Sequence, residues 1–390
     1  MYEFSIPMPY TIQDIDKLLE VNNKIEKSKI TSLYFSLPLT SKLFTGFEQQ
    51  FRNAIFDKDW DFWETLIEHS FNKGMDFIYL LNSPNSFPAE PVNLEQRLDK
   101  LDNLLNELRK IGVNKLRIAE HRLLCYISEE YRDFDIYAST SFELKSIAEY
   151  QNFMFMHPKV KQIVPSHDSI KNFQLLKNVN NLFPNVEIEL MVNEGCINGC
   201  PNRYGHAGDI MKKNTSKKKN KALQEGFFTK EFCNKFEAKN PFISLVKSNV
   251  IYPWEILEYS KIGINKFKFV GRDAYQFSFD SRIEHFYLYL KGIDNLKYIE
   301  NTPISVLIHH LSYIRELKQL SVKEVKKYLP NINHFKKYGH LCSSYCGVTC
   351  NYCFKCAEKI QKVFEHKHKE NERIQEIKPV CTMSKRMAGV

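Results

Sequence analysis

The chain has 390 residues, 43% of them hydrophobic and 26% charged, a composition that predicts a folded protein with a sizeable core and argues against a disordered chain. No apolar run approaches the ~20 residues that a membrane span needs, so we expect no membrane association. The net charge of +9 is concentrated in residues 212–221, which contain six lysines and no acidic residue. A solvated loop is the simpler interpretation of this segment, and contact with a phosphate-bearing substrate is the alternative.

The N-terminus carries an acidic residue, Glu3, and no basic segment ahead of an apolar run, so it does not resemble a secretory signal. We therefore expect a cytoplasmic protein in a reducing compartment, where structural disulfides are rare. Its ten cysteines then require another explanation. Cys196 and Cys200 form one cluster and five cysteines between Cys342 and Cys356 form another, a distribution that indicates metal binding.

Residues 1–290 alternate short, apolar, β-rich runs with longer amphipathic segments, which is the pattern of βα units and a parallel sheet. Helical periodicity is clear over residues 94–111 and 253–262. Eight runs are predicted to be strands, and this number predicts a TIM-type (β/α)8 barrel, with a doubly wound open sheet as the alternative. The predicted strands are residues 32–38, 76–82, 115–119, 135–140, 160–166, 186–193, 249–253 and 266–272.

The predicted barrel covers residues 1–290, with an insertion at about residues 194–247 between the sixth and seventh predicted strands. Residues 291–390 are predicted to form a helical C-terminal region that contains a cysteine-rich, metal-binding segment at residues 340–357. Polar residues follow several of the predicted strands. In a barrel these residues would surround the C-terminal face, where active sites of this fold lie.

The first cysteine cluster, Cys196 and Cys200, directly follows the sixth predicted strand and is therefore expected on the catalytic face. Closely spaced thiolates bind iron–sulfur clusters or zinc, because both need several soft anionic ligands that converge on one point. Gly195 and Gly199 would let the backbone wrap closely around such a group. Two buried core cysteines are the alternative interpretation of this pair.

The second cluster lies in the sequence LCSSYCGVTCNYCFKCA at residues 341–357, and its five cysteines are separated by three, three, two and two residues. This density is a strong metal signal. A zinc site would use the CxxC pairs. A 4Fe–4S cluster would use four of the five cysteines, or one of them would complete a cluster held by Cys196 and Cys200. The predicted ligands in this segment are Cys346, Cys350, Cys353 and Cys356.

Two segments of the chain are similar to a known family. Residues 193–206 read N-E-G-C-x-x-x-C-P-x-R-x-x-H, and residues 263–272 read G-I-x-x-F-K-x-x-G-R. With these motifs the chain resembles peptidase family U-32, the collagenase-like peptidase family, in a branch that also has a cysteine matching Cys233 and a cysteine-rich tail matching residues 342–356. The likeness covers roughly residues 30–360.

This resemblance implies a cofactor. Several members of the family resemble oxygen-independent hydroxylases that hold a 4Fe–4S cluster with four cysteines and act on RNA bases or on a quinone precursor, some of them with prephenate as the oxygen source. Carried over by position, Cys196, Cys200 and Cys233 become cluster ligands, with Cys350 or Cys353 as the fourth. The usual hydroxylase pattern spaces its first cysteines more widely. One cluster is expected, and a second cluster or zinc at the C-terminal cysteines is the alternative.

The same resemblance assigns roles to polar residues near the cysteines. Arginine suits carboxylates through its planar fork, so cations that face the cluster would bind an acidic co-substrate. Structural salt bridges are the alternative for each of them. The residues assigned to catalysis are Arg203, His206, Lys268 and Arg272, and those assigned to cofactor binding are Asn193 and Glu194.

Three functions are consistent with these features. The preferred one, which the resemblance implies, is an iron–sulfur redox enzyme that acts on a small molecule or RNA with a redox partner and no clear protein partner. A peptidase, as the family name suggests, is less favoured, because the sequence shows no serine or thiol triad and no HExxH zinc helix. The third is a non-catalytic protein in which metal staples the fold and the lysine-rich segment binds RNA.

Overall fold

The computed structural model describes residues 1–36, 60–82, 94–200, 203, 239–271, 279–308, 314–339 and 348–383. Eight parallel strands form a closed barrel, and their order around the barrel is their order in the chain. This topology confirms the predicted TIM-type (β/α)8 fold. The strands are β1 (Tyr2–Pro7), β2 (Ser28–Phe35), β3 (Asp76–Leu81), β4 (Lys115–Ile118), β5 (Asp135–Ala138), β6 (Val160–Ile163), β7 (Glu187–Met191) and β8 (Lys266–Lys268).

The barrel closes between its first and last strands. β1 and β8 pair in parallel, with Phe4 opposite Phe267. On its other side β8 pairs with β7, where Leu190 is the partner of Phe267. The rings of Phe4 and Phe267 also stack, with centroids 5.4 Å apart. Backbone pairing and side-chain packing therefore both join the two ends of the barrel sequence.

One predicted strand is wrong, and one barrel strand was not predicted. Residues 249–253 are as apolar and buried as a barrel strand, but Ile251 N donates at 2.8 Å to the carbonyl oxygen of Val192, beyond the end of β7, and Pro253 opens a 3₁₀ turn. A short apolar run therefore indicated a buried segment here, but not a barrel strand. The missing strand is β1, so the number eight was right, and the insertion lies between β7 and β8 rather than between the sixth and seventh strands.

Helices surround the barrel and bury one face each. In the first helix the Thr11 side chain caps the N-terminus by accepting a hydrogen bond from the backbone of Asp14 at 3.1 Å. The same helix buries Ile15, Leu18 and Val21, which lie on one side at helical spacing. The helices are α1 (Ile12–Lys24), α2 (Trp60–Asn72), α3 (Leu94–Lys110), α4 (His121–Glu130), α5 (Ile147–Met156), α6 (Phe173–Leu182), α7 (Pro241–Lys247), α8 (Ile256–Ser260), α9 (Phe279–Asp294), α10 (Arg315–Lys318), α11 (Val322–Val325), α12 (Ile332–Tyr338) and α13 (Tyr352–Met383).

A polar cluster crosses the barrel interior. Arg117 of β4 and Glu189 of β7 form an ion pair at 2.7 Å, and their side chains are only 1% and 3% exposed. Ser5 of β1 donates to the second carboxylate oxygen at 2.7 Å, and Gln162 of β6 accepts from the guanidinium. The ring of Tyr137 lies 5.8 Å from the same guanidinium. The cluster connects five strands and pairs charges that would be costly to bury alone.

The C-terminal region packs on the outside of the barrel through α13. Phe364 of α13 contacts Phe242 of α7, with ring centroids 5.6 Å apart. Lys367 of α13 forms an ion pair with Glu324 of α11 at 2.8 Å. Among the described helices, none combines the length and the apolar composition that crossing a bilayer requires.

Candidate functional site

The exits of β5, β6 and β7 place polar side chains together at the C-terminal mouth of the barrel. Glu143 follows β5, His167 and Asp168 follow β6, and Glu194 follows β7. Parallel strands end at the same edge, so residues far apart in sequence meet there. This mouth is where the fold places catalytic groups, and it is the candidate functional site.

The centre of the mouth is a carboxylate–imidazole–carboxylate row, here called the mouth relay: Glu143, His167 and Glu194. The imidazole Nε2 lies 3.5 Å from Glu194 Oε2, and Nδ1 lies 3.9 Å from Glu143 Oε1. Burial lowers the pKa of His167, but the two carboxylates outweigh this effect and leave the pKa raised. The imidazole is thus placed to hold a proton between two acids.

Glu143 is held in an ionised state by its neighbours. Ser166 Oγ donates to Glu143 Oε2 at 2.6 Å, and Lys145 Nζ lies 3.2 Å from the same oxygen. Burial raises the pKa of Glu143, but hydrogen bonds from His167, Ser166 and Lys145 more than offset it and lower the pKa to about 2. Glu143 also has a φ of 51°, and it is the non-glycine residue with positive φ in the part of the chain that the structure describes. Such backbone strain, on the order of 1–3 kcal/mol, is concentrated at functional sites.

Asp168 fastens the cysteine-bearing loop to the mouth, in an arrangement here called the Asp168 clamp. Its Oδ1 accepts a hydrogen bond from the backbone of Gly199 at 2.9 Å and another from Arg203 Nη2 at 2.7 Å. Arg203 Nη2 also donates to the carbonyl oxygen of Ile197 at 3.0 Å. Gly199 has a φ of +68°, which a residue with a side chain would adopt only with strain. The clamp therefore fixes the backbone on both sides of Cys200.

Cys196 and Cys200 both lie in this clamped loop and are both partly exposed. The backbone N–H of Cys196 donates to Glu194 Oε1 at 3.0 Å, which attaches the cysteine directly to the mouth relay. Burial, then the Glu194 carboxylate and more weakly the Cys200 thiol, raise the pKa of Cys196 well above its usual value. A cation bound to both thiols would reverse this effect by stabilising the thiolates.

The segment that carries the C-terminal cysteines contacts the end of α7, as the loop that carries Cys196 does. Ile197 forms an antiparallel bridge with Ser248, directly after α7. Lys247, the last residue of α7, places its Nζ 4.6 Å from the ring centroid of Phe354 in the first turn of α13. Cys353 precedes Phe354 and Cys356 follows within the same turn, partly exposed and buried respectively. The end of α7 thus contacts both predicted cysteine segments.

The predicted metal-binding residues are only partly covered by the structure. Cys233 and Cys346 lie outside the described residues, whereas Cys350, Cys353 and Cys356 lie within them. Over the described ranges, no three Cys, His, Asp or Glu side chains converge as a metal site would require. The described thiols have the chemistry of ligands for iron or zinc but do not form a site by themselves, and the complete ligand set stays a prediction.

Two of the predicted site residues, Asn193 and Lys268, make contacts within the fold that give each a structural role. Asn193 accepts a hydrogen bond from the backbone of Val270 at 2.7 Å and donates back to its carbonyl oxygen at 3.2 Å, so it joins the ends of β7 and β8. Lys268 is 7% exposed, and its Nζ lies 3.8 Å from the centroid of the Tyr34 ring. Glu194 instead contacts both His167 and the backbone of Cys196. His206, Arg272 and residues 212–221 lie outside the described residues.

Sequence reasoning missed three residues of the mouth: Glu143, His167 and Asp168. Each comes four or five residues after the end of a barrel strand, and the corresponding predicted strands ended at Thr140, three residues before Glu143, and at Ser166, directly before His167. The rule that polar residues at strand ends surround the catalytic face pointed to this region. The sequence did not supply the pairing between neighbouring strand exits, because that pairing depends on the positions of two 3₁₀ turns, Thr140–Phe142 and His167–Ser169.

The chain is similar to a curated protease. It is 20% identical over 355 residues to the "Uncharacterized protease MJ1657" of Methanocaldococcus jannaschii, a match that covers 90% of this chain and 95% of that protein. No family model matches the chain. Among solved structures it is similar to the U32 peptidase Mk0906, with 13% identity, a TM-score of 0.43, and coverage of 70% of this chain and 92% of that one. It is also similar to the N-acetylneuraminate lyase from Fusobacterium nucleatum, with 11% identity, a TM-score of 0.34, and coverage of 94% and 98%.

Proposed function

We propose that the protein is an iron–sulfur enzyme of the U-32 peptidase-like family that carries out oxygen-independent hydroxylation, or a related redox modification, of an RNA base or a small molecule. The observation that supports this most is the position of the Cys196–Cys200 loop, which is clamped over the mouth of a closed barrel and hydrogen-bonded to the mouth relay. The similarity over most of the chain to a curated protease supports the family.

The proposed cluster would be held by Cys196, Cys200 and Cys233, with Cys350 or Cys353 as the fourth ligand. Support comes from the shared attachment of the two described cysteine segments to the end of α7. Once bound, a 4Fe–4S cluster supplies electron transfer at a potential set by its surroundings. The hydrogen bonds from Gly199 and Cys196 that hold the loop would orient its two thiolates towards the cluster.

The chain's own residues would bind the substrate and handle protons. Arg203 uses one nitrogen for the Asp168 clamp, and its buried Nε and Nη1 have no hydrogen-bond partner over the described part of the chain. Buried unpaired donors are costly, and a carboxylate or phosphate oxygen would satisfy one of them with a charge-assisted hydrogen bond. His167, with its raised pKa, would release or take up a proton next to that anion.

A peptidase is the second candidate, favoured by the name of the curated relative. At the mouth, Thr140 Oγ1 lies 3.4 Å from His167 Nδ1, which resembles a nucleophile beside a base. However, the same hydroxyl donates to the carbonyl oxygen of Pro165 at 2.8 Å, so its proton points away from the imidazole. Cys125 lies 3.9 Å from His157, but burial and nearby Glu129 and Glu120 raise its pKa, which disfavours the reactive thiolate.

Anaerobic purification followed by an absorption spectrum and by iron, sulfide and zinc analysis tests the proposal. The wild type should be brown with roughly four irons per chain. Cys196→Ala should lose the colour and most of the iron, whereas Cys125→Ala, a cysteine outside both clusters, should retain them. A colourless protein that contains only zinc would overturn the proposal and favour a metal-stapled RNA-binding protein. Peptide hydrolysis that survives loss of the iron but fails in Thr140→Val would favour the peptidase.

A further inference from the structure

A second site lies outside the barrel mouth, in a cavity of about 360 Å³. It is formed by the 3₁₀ turn Pro253–Glu255, by residues 326–332 and by the first two turns of α13. None of its lining residues belongs to the mouth relay or to the Asp168 clamp, and Cys356, which lies in the lining, is not one of the ligands of the cluster proposed above. Its volume falls in the range of small-molecule sites, ~300–1,000 Å³.

The cavity is strongly basic. Lys326, Lys327 and Lys359 line it, and over the described residues none of the three forms an ion pair. The carboxylate in the lining is that of Glu255, which is 4% exposed and accepts a hydrogen bond from the backbone of Tyr252 at 2.9 Å. That carboxylate is thus committed to the turn, and the three ammonium groups give the lining a net positive charge that favours an anion.

Two aromatic rings in the lining are fixed in place. Trp254 lies parallel to the buried ring of Tyr252, with centroids 4.7 Å apart and planes at 2°. Tyr352 stacks on His334, with centroids 3.8 Å apart, and its hydroxyl accepts a backbone N–H at 2.8 Å. Lys326 Nζ is 5.4 Å from the Trp254 ring centroid, so one cation and one aromatic face adjoin. A planar ligand would find a preorganised stacking surface next to positive charge.

The type of cation indicates which anion fits. The lining contains three lysines and no arginine. Lysines act as point charges, and three of them match the charge of about −2 on a phosphate group better than the single charge on a carboxylate. We propose that this cavity binds a free mononucleotide, with the phosphate among Lys326, Lys327 and Lys359 and the base on Trp254. The proposal is independent of the function proposed for the mouth.

Titration of the full-length protein with AMP tests this site, with isothermal calorimetry and tryptophan fluorescence as the readouts. AMP should bind more tightly than adenosine or inorganic phosphate, since each of these lacks one half of the contacts. Lys326→Gln, Lys359→Gln and Trp254→Leu should each weaken AMP binding by about tenfold or more. Lys323→Gln is the matched control, because Lys323 is an exposed lysine in the adjacent α11 that does not line the cavity.

Several results would overturn the proposal. One is the absence of AMP binding to the wild type at millimolar concentration. Equal affinity for AMP and adenosine, or equal affinity for AMP and phosphate, would also overturn it. So would binding of an oligonucleotide to a protein that does not bind AMP. An equal loss of AMP affinity in Lys323→Gln would mean that the lysines act through the overall charge of the protein and do not contact the phosphate. Circular dichroism identifies variants that fail to fold, and Lys359→Gln, an exposed change on a helix, keeps the test decisive in that case.

Discussion

Arg203 and Asp168 form an ion pair at 2.7 Å that connects the loop after β7 to the exit of β6. Their side chains are 10% and 20% exposed, so the pair is shielded from solvent for most of its surface. The same Asp168 oxygen also holds the backbone of Gly199. One carboxylate thus sets the position of the loop that carries Cys196 and Cys200, and its loss should affect that loop before it affects the barrel.

Asp168→Asn should release the cysteine loop. The neutral amide keeps one acceptor but loses the charge that binds the guanidinium, at a cost of about 2 kcal/mol in the free energy of unfolding. Iron content after anaerobic purification should fall, while the circular dichroism spectrum stays that of the barrel. Asp99→Asn, at an exposed position of α3, is the control and should change neither quantity. Full iron content in Asp168→Asn would show that the clamp does not position the cysteines.

Removal of one partner of the buried Arg117–Glu189 pair should destabilise the barrel strongly. Arg117→Met leaves a carboxylate with 3% exposure and no opposite charge, which costs about 3–5 kcal/mol. Arg117→Met with Glu189→Gln should recover a large part of that loss, because no buried charge remains. Urea unfolding of both single variants and the double variant gives the coupling energy. Additive losses would mean that the two side chains do not interact in the folded protein.

Stability should fall as the pH drops from 6.5 to 4 because of His157. Burial, and secondly the neighbouring His121, lower its pKa from 6.5 to about 4. The folded protein therefore resists protonation that the unfolded chain accepts, so this stabilisation is complete above pH 6.5 and is lost as the pH falls towards 4. Denaturant unfolding at several pH values in this range should show that the free energy of unfolding depends less steeply on pH in His157→Phe than in the wild type. His366→Phe, at an exposed position, should keep the wild-type slope.

Phe364→Ala should loosen the contact between α13 and α7. The ring packs 5.6 Å from that of Phe242, and truncation of a partly buried Phe costs about 3 kcal/mol. If the C-terminal cysteines complete a site with Cys196 and Cys200, iron content should fall together with stability. Phe155→Ala, at a position 88% exposed, controls for loss of an aromatic ring. A destabilised variant with full iron content would show that the two cysteine clusters do not form one site.

Sequence patterns predicted the barrel because strand runs and amphipathic helices report on burial, and burial follows the period of each element. The same signal failed at residues 249–253, which are buried outside the barrel, and at β1, where Glu3 and Ser5 break the apolar run. Both errors arise because hydrophobicity records that a strand is covered but not which strand it pairs with.

The candidate site was predictable in part. Spacing identified Cys196 and Cys200, and the resemblance identified Glu194 and Arg203, all of which the structure places at the mouth. His167 and Asp168 were not predictable, since single polar residues after a strand usually do no more than end it. Their roles arise from contacts with the exit of another strand, and one sequence without its fold contains no record of such contacts.

Closure of the barrel by β1 and β8 has a consequence for folding. Phe4 can meet Phe267 only after almost the whole barrel sequence has been made, so the last seam forms by a contact between distant parts of the chain. A sheet in which β1 and β8 were not yet paired would have two free edges, each of which could pair with another molecule. Ring closure should therefore be the slow event in refolding, and the yield should fall as protein concentration rises.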